Sequence, residues 1–349
     1  MESSKAVFLH VGNFKTGTSA VQKYCSENRQ LLIDKGLDYL EVARPTTNKT
    51  NHGQLALSLY RETGKRTPDW YVDEVSYRAI SAEVLTSIKA SPCQKILISS
   101  EEFYRIPAFD DASRTVIRKS LRALFRGHTV KVIVYVRNPM DFIKSWYNEV
   151  NKSRFPIRRF VDYVFHLDKR MVLPDANVNF WRHVFGNDAV IIEPYALTGI
   201  EHIKRFLTLA SVSGLEFGQS TALNINLRLD NSSLERDRIN KIMAVLKGDE
   251  RERYLRSTVL SSVDKLNSLE RKLAKISADF KRFCDIENLK VSGAELSLYN
   301  VLVHDEAVNR RDLISPSLFG IARAKISNSS VVLWAKKCMH KIKFNVKSK

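Results

Sequence analysis

Residues 6–19 read AVFLHVGNFKTGTS, an apolar run that ends at a glycine and continues into a polar turn. The Val, Phe and Leu side chains predict a buried strand over Ala6–Val11, and apolar positions near helical spacing predict a helix over Ser19–Lys35. Gly12 and Gly17 lie between the two elements, where glycine lets backbone amides turn towards a bound anion. The stretch therefore predicts a phosphate-binding turn after the first strand.

The start of the following helix strengthens this prediction. Its unpaired amides and positive dipole end would point at a phosphate, and hydroxyls of Thr16, Thr18 and Ser19 would add donors. The spacing from Gly12 to Ser19 is that of the G-x-x-x-x-G-K-[ST] loop of nucleoside triphosphatases, but Thr18 occupies the lysine position and the lysine is Lys15. The displacement argues against ATP or GTP hydrolysis, because that lysine normally reaches the terminal phosphates.

Predicted strands and helices alternate along the chain as far as about residue 215. Further buried strands are expected at Lys95–Ser100, Val130–Val136 and Ala189–Ile192. Helices are expected at His52–Glu62, Val75–Ser91, Ser113–Phe125, Met140–Lys152 and Ile200–Leu209. This alternation predicts an α/β fold with a doubly wound, mainly parallel sheet and helices on both faces.

The chain is expected to have three parts. The α/β core would span residues 1–217, and a helical lobe packed on it would span 218–322. In that lobe a helix would begin near Asn231-Ser232-Ser233, and apolar residues recur at spacings of three and four from Val263 to Phe283. Residues 323–349 form a basic tail, which carries eight lysines and arginines and no acid.

Composition limits the class of protein. The 349 residues are 44% apolar, enough for a large core, and the net charge of +18 predicts an anionic partner. The four cysteines form no C-x-x-C pair, which argues against zinc and against a disulfide framework. No signal-peptide core and no apolar run of about 20 residues is visible, so we expect a cytoplasmic protein whose membrane contact is at most peripheral.

The basic tail allows two interpretations. Its apolar positions can form a stripe beside the lysines, as on a helix that lies on an anionic membrane surface. Alternatively it is a terminal helix docked on the protein with a solvated basic face, which is the interpretation we prefer.

A second motif follows the strand Val130–Val136, where the sequence continues RNPMDFIKSWY from Arg137 to Tyr147. An arginine at the carboxyl end of a parallel strand faces the crevice where α/β proteins bind ligands, and a guanidinium can bind phosphate with two hydrogen bonds. Pro139 can begin the next helix, which places Ser145 almost two turns into it.

The two motifs resemble those of the sulfotransferase superfamily. Lys15-Thr16-Gly17-Thr18-Ser19 is similar to its 5′-phosphosulfate-binding motif, with Phe14 where many members carry proline. Arg137, Ser145 and Tyr147 match its 3′-phosphate motif. The resemblance covers roughly residues 6–215 and is greatest to bacterial polysaccharide-type enzymes.

The resemblance implies a P-loop-like fold and a reaction. The chain would transfer a sulfuryl group from 3′-phosphoadenosine 5′-phosphosulfate (PAPS) to a hydroxyl of a glycan or glycolipid, without metal, and release adenosine 3′,5′-bisphosphate (PAP). The residues from Thr16 to Ser19 would bind the 5′-phosphate, and Arg137 with Ser145 the 3′-phosphate. Lys15 would follow the negative charge that grows on the departing phosphate.

Two residues are candidates for the general base that accepts the acceptor's proton. The segment around His52, Asn51-His52-Gly53-Gln54, resembles the region where glycan O-sulfotransferases place a catalytic histidine or glutamate, although such a histidine is commonly structural. Glu101 follows the second buried strand of the core, again at the expected ligand edge. The sequence favours His52 narrowly, and His10, before the turn, is expected to be packed.

Two other functions are compatible with the sequence. An atypical P-loop nucleotide kinase would use the same turn, but the position of Lys15 and the pairing of Arg137 with Ser145 argue against it. A basic nucleic-acid-binding protein would explain the charge, but no recognised nucleic-acid module is present, so no nucleic acid is expected as a partner.

Overall fold

A computed structural model describes residues 4–152, 158–197, 199–214, 231–251 and 263–308. The chain divides into two compact units. One is formed within 1–137 and 174–225, the other within 138–173 and 226–349.

The first unit contains a sheet of five strands in the order β2-β3-β1-β4-β5. The strands are β1 (Ala6–Gly12), β2 (Leu37–Tyr39), β3 (Lys95–Ser99), β4 (Thr129–Val136) and β5 (Val190–Pro194). All of their described pairings are parallel, and β1 pairs with β3 on one side and with β4 on the other. The chain therefore reverses its direction of winding at β1, as the prediction of a doubly wound parallel sheet requires.

Twelve α-helices lie in the part of the chain that the structure describes. They are α1 (Thr18–Glu27), α2 (Arg29–Asp34), α3 (Gly53–Glu62), α4 (Tyr77–Ala90), α5 (Asp111–Leu124), α6 (Pro139–Asn151), α7 (Phe160–His166), α8 (Asp175–Phe185), α9 (Gly199–Leu209), α10 (Asn231–Val245), α11 (Val263–Ile286) and α12 (Leu298–Val308). Short 3₁₀ segments occupy Glu101–Ala108, Lys169–Met171 and Asn187–Ala189. Helices α6, α7 and α10 to α12 belong to the second unit.

Helices cover both faces of the sheet, because its inner strands are apolar on both sides. One face carries Phe8, Leu97, Ile133 and Tyr135, which pack with apolar residues of α1, α2 and α9. On the other face α8 packs against β4 and β5, and α5 packs against α8. The strand residues that alternate with the first set are also fully buried, among them Leu9. The predicted fold class is confirmed.

The predicted helix over Ser19–Lys35 is in fact two helices, broken at Asn28. The Asn28 side chain and backbone amide both donate to the Tyr24 carbonyl oxygen at 2.9 Å, which satisfies the end of α1. Strand β2 was not predicted, because three residues after Gly36 are too few to show a period.

A buried ion pair attaches β2 to its neighbours. The Asp38 side chain is 1% exposed and accepts from Arg29 Nε at 2.9 Å and from Ser91 Oγ at 2.6 Å. Arg29 is the first residue of α2, and Ser91 follows α4. The carboxylate therefore joins two helices to an edge strand too short to be stable by its own ladder.

The second unit is helical, and its contacts explain why 138–173 groups with the C-terminal helices and not with the predicted core. Asp305 on α12 accepts from the Val161 amide of α7 at 3.0 Å and from Arg159. Lys272 on α11 donates to the Phe165 and Leu167 carbonyl oxygens at 2.7 and 2.6 Å. Asp305 and Lys272 thus connect the two ends of α7 to helices that lie more than 100 residues further along the sequence.

The apolar stripe of α11 begins later than predicted. Val263 is 71% exposed, whereas the buried positions of this helix start at Leu269 and continue to Cys284. The basic tail, 323–349, lies outside the described residues. None of the described helices is long and apolar enough to cross a membrane.

We predict that Arg29→Met lowers the free energy of unfolding by about 3 kcal/mol, because it leaves the buried Asp38 carboxylate without its charged partner. Urea denaturation measures the change. Arg66→Met is the matched control: Arg66 pairs with Asp69 where the side chains are 85% and 49% exposed, so its loss should cost less than about 1 kcal/mol. Adding Asp38→Asn to Arg29→Met should restore much of the stability. Equal effects of the two arginine variants would contradict the prediction.

Candidate functional site

Three chain segments meet at one edge of the first unit, because the strands they follow are neighbours in a parallel sheet. The turn after β1, Glu101 after β3 and Arg137 after β4 all lie at the carboxyl ends of these strands. The reversal of winding at β1 makes this the crevice in which open α/β sheets bind ligands. The predicted phosphate turn and Arg137 are thus brought to the same edge.

The turn after β1 depends on left-handed backbone. Gly12, Lys15 and Gly17 have φ values of 68°, 64° and 74°. A Cβ on Gly12 would lie 3.0 Å from Thr18 Oγ1, and one on Gly17 would lie 2.8 Å from His202 Cδ2. Glycine is therefore required at both positions, by backbone conformation and by space.

Thr16 holds the turn together from inside. Its side chain is fully buried, and Oγ1 donates to the Asn13 carbonyl oxygen at 2.6 Å while accepting from the Asn13 amide at 3.3 Å. The hydroxyl that the sequence assigned to phosphate is thus engaged within the turn. Only the backbone amide of Thr16 would then contact a bound anion.

Thr18 is the first residue of α1 and presents a different case. Its side chain is 5% exposed, and Oγ1 has no hydrogen-bond partner among the described residues. A buried hydroxyl without a partner normally signals a missing ligand or water, since leaving it unpaired costs about 1–3 kcal/mol. It lies at the positive end of a helix dipole, and no acidic residue occupies the first turn of that helix. Ser19, the next residue, is exposed.

Arg137 joins β4 to the turn. Its guanidinium donates to the Lys15 carbonyl oxygen and lies 5.3 Å from the centre of the Tyr195 ring. Lys15 is a non-glycine residue in left-handed conformation, which needs such support from its surroundings. Lys15 and Arg137, which the sequence assigned to two different phosphates of the donor, are therefore joined by a hydrogen bond.

Ser145 lies in α6, in the second unit, at intermediate exposure. Tyr147, the last residue of that motif, is buried and its hydroxyl donates to the Arg158 carbonyl oxygen at 3.0 Å. The predicted pairing of Ser145 with Arg137 stays a prediction.

His52 is fully buried and both of its ring nitrogens are occupied by backbone. Nδ1 accepts from the Ser99 amide at 3.0 Å, and Nε2 donates to the Leu40 carbonyl oxygen at 2.9 Å. Burial, with a smaller effect of Arg44, lowers the pKa of His52 to about 3. The imidazole is therefore a neutral link between β3 and the chain after β2, without a nitrogen available to take a substrate proton.

Glu101 lies against the turn. Its Cβ is 3.6 Å from the position that a Cβ of Gly12 would occupy, and its carboxylate oxygen Oε2 accepts from Gln22 Nε2 at 3.0 Å. The side chain is partly exposed. The structure thus places Glu101 beside the first residue of the turn, whereas both ring nitrogens of the other candidate, His52, are bound to backbone.

Glu102 has a different environment from its neighbour. It is 8% exposed, and burial, followed by the charge of Glu101, raises its pKa to about 7. Adjacent carboxylates therefore have separate roles: Glu101 is accessible at the site, and Glu102 belongs to the interior.

Sequence reasoning missed four polar residues packed beneath the turn, Gln22, Ser99, Tyr195 and His202, whereas His10 is packed there as expected. His202 and His10 are both buried, and burial lowers their pKa values to about 4 and about 3. Of these residues, only Gln22 could have been identified from the sequence, because it follows Thr18 by four residues and therefore lies on the same face of α1.

Among solved structures, this chain is similar to a crystal structure of a sulfotransferase from Alicyclobacillus acidocaldarius. The two are 13% identical with a TM-score of 0.44, and the match covers 80% of this chain and 96% of that chain. At this distance the likeness assigns no role to any residue. No family model and no curated protein matches the chain.

We predict that Gly17→Ala destabilises the protein by at least about 2 kcal/mol more than Gly64→Ala. Both glycines have left-handed φ, 74° and 67°, but only a Cβ on Gly17 would collide with a neighbour, whereas none lies within 4 Å of one on Gly64. The His202 ring cannot move easily, since it packs between Tyr135 and Tyr195. Chemical denaturation of both variants measures the difference, and equal losses would contradict a tightly packed turn.

We predict that Glu102→Gln flattens the dependence of stability on pH. A raised pKa in the folded state means that stability is fully present below the ordinary value of 4.5 and is lost as pH rises through about 7. The difference in unfolding free energy between variant and wild type should therefore change in favour of the variant by up to about 3 kcal/mol between pH 4.5 and pH 8. Parallel stability curves would show that Glu102 is not a buried acid.

Proposed function

We propose that this protein transfers a sulfuryl group from PAPS to a hydroxyl of a glycan or glycolipid and releases PAP. One observation carries the proposal: the left-handed turn after β1 contains Lys15 in place of the usual later lysine, and the carbonyl oxygen of that residue accepts a hydrogen bond from Arg137. This arrangement agrees with the two motifs that resemble the sulfotransferase superfamily.

The residues of the turn fit a 5′-phosphosulfate. The unpartnered Thr18 hydroxyl and the amides at the start of α1 offer donors to a phosphate at the positive end of the helix dipole. When bound, the donor supplies an activated sulfuryl group whose leaving group is a phosphate. Lys15, with its side chain on the same turn, would neutralise the charge that develops on that phosphate.

Arg137 and Ser145 would bind the 3′-phosphate. A guanidinium has five donors, so the bond from Arg137 to the Lys15 carbonyl oxygen is compatible with phosphate recognition by the same side chain. An arginine that contacts both the turn and the ligand would couple recognition of the 3′-phosphate to the conformation of Lys15.

Glu101 is the base that we assign, in place of His52. Its carboxylate would accept the proton of the acceptor hydroxyl as that oxygen bonds to sulfur and the bond from sulfur to the phosphate oxygen breaks. The position of Glu101 beside Gly12 supports this role, and the two backbone hydrogen bonds of His52 argue against a role for the imidazole.

The kinase alternative uses the same turn but requires a lysine next to the final Ser or Thr of the loop. That position is Thr18, and its hydroxyl is buried. The expected cytoplasmic location, the absence of a metal requirement and a membrane contact of the basic tail remain proposals that accompany the main one.

The decisive experiment is calorimetric titration of PAP, adenosine 5′-monophosphate and ATP into wild type, Arg137→Ala and Arg205→Ala. We expect wild type to prefer PAP, and Arg137→Ala to lose about 10–100-fold more affinity for PAP than for the monophosphate, because a hydrogen bond to a charged group contributes about 1.5–3 kcal/mol. Arg205, which pairs with Glu193 at 2.7 Å, is the control and should not change either affinity.

Each outcome of the titration has a clear meaning. Equal loss of both nucleotides in Arg137→Ala would show that the arginine only supports the turn. Tighter, magnesium-dependent binding of ATP would overturn the sulfotransferase proposal in favour of a kinase.

A further inference from the structure

Gln22 is a buried polar residue directly beneath the candidate base. It lies on the inner face of α1 and is 1% exposed. Its Nε2 donates to Glu101 Oε2 at 3.0 Å and to Ser99 Oγ at 3.2 Å. These two bonds use both amide hydrogens, so the nitrogen connects the last residue of β3 to the carboxylate of Glu101, whose Cβ lies at the turn.

The chemistry of the partners determines how the amide is oriented. An ionised carboxylate can only accept hydrogen bonds, so the NH2 group and not the oxygen of Gln22 must face Glu101. The Ser99 hydroxyl can accept from Gln22 while donating its own proton to His10 Nδ1, 2.8 Å away. Burial lowers the pKa of His10 to about 3, which keeps this ring neutral and able to accept.

The anchor of this chain of bonds is rigid. His10 and Ser99 are fully buried and occupy paired positions on the adjacent strands β1 and β3. The His10 ring also packs against Phe206 and Tyr135, with ring centres 4.7 and 5.7 Å away. The Gln22 amide is therefore held in place by the sheet, and it in turn holds a carboxylate that is partly exposed to solvent.

We propose that Gln22 is a positioning residue for general-base catalysis: it holds the Glu101 carboxylate at the turn, in the orientation needed to accept the acceptor's proton. The inference rests on the proposed function and extends it to a residue that does not touch substrate. A charge-assisted hydrogen bond is strong enough to offset the rotamer freedom that a glutamate side chain loses when it is held in one orientation.

The test is a double-mutant cycle of Gln22→Met and Glu101→Gln. Methionine keeps the unbranched shape of Gln22 and removes its donors. The measured rate is release of PAP from PAPS with water, chondroitin, dextran or galactosylceramide micelles as acceptor. The affinity for PAP and the unfolding free energy are measured for every variant as readouts besides activity.

We expect Gln22→Met to reduce kcat about 10-fold or more in the wild-type background and to have no further effect in the Glu101→Gln background. Affinity for PAP should stay within about 2-fold, because α1 keeps its place. Gln30→Met is the matched control: Gln30 donates to Asp34 at 3.0 Å on the exposed side of α2 and should not change kcat.

The outcomes separate the two proposals. If Gln22→Met reduces kcat by the same factor in both backgrounds, or not at all, while Glu101→Gln is strongly impaired, the positioning role is overturned and the proposed function stands. If Glu101→Gln retains full activity, or wild type releases no PAP with any acceptor, the assigned base or the function fails, and this inference fails with it. If Gln22→Met does not fold, Gln22→Asn, which keeps the amide on a shorter side chain, replaces it in the cycle.

Discussion

The hydrogen bond from Arg137 to the Lys15 carbonyl oxygen is the interaction on which the candidate site depends. Lys15 adopts a left-handed conformation that L-residues avoid by roughly 1–2 kcal/mol, and the turn on either side of it is allowed only by Gly12 and Gly17. Without a support from β4 the turn would relax towards ordinary backbone. The amides and the Thr18 hydroxyl would then no longer converge at the start of α1.

The parallel sheet is what makes this bond possible between residues 122 positions apart. β1 lies in the centre and pairs with β3 and β4, so the carboxyl ends of all three strands reach one edge. The register between β1 and β4 shifts between His10 and Gly12, where the strand gives way to the turn. A change of winding direction at β1 thus places the predicted phosphate turn, a carboxylate and an arginine at one edge of the sheet.

Buried polar groups at this edge have two distinct uses. Both ring nitrogens of His52 form hydrogen bonds with backbone groups, and these bonds stabilise the connection between β3 and the chain after β2. Gln22, in contrast, donates hydrogen bonds both to Ser99 in the sheet and to Glu101, which is partly exposed, and so restrains the Glu101 carboxylate. The difference between a structural and a functional polar residue here is whether its hydrogen bonds end on backbone or lead to a group that solvent and substrate can reach.

Local sequence determined much of this protein. The apolar runs, the glycines of the turn and the spacing of Lys15 were sufficient for the α/β class, the strand-turn-helix unit and the Arg137 motif, because each depends on neighbours within about ten residues. Tertiary structure alone decided that Thr16 is engaged within the turn, that Glu101 and not His52 stands beside it, and that residues 138–173 join the C-terminal helices. The physical reason is the same in each case: the hydrogen-bond partner of a buried polar group can come from any part of the chain, and nothing in the local pattern specifies it.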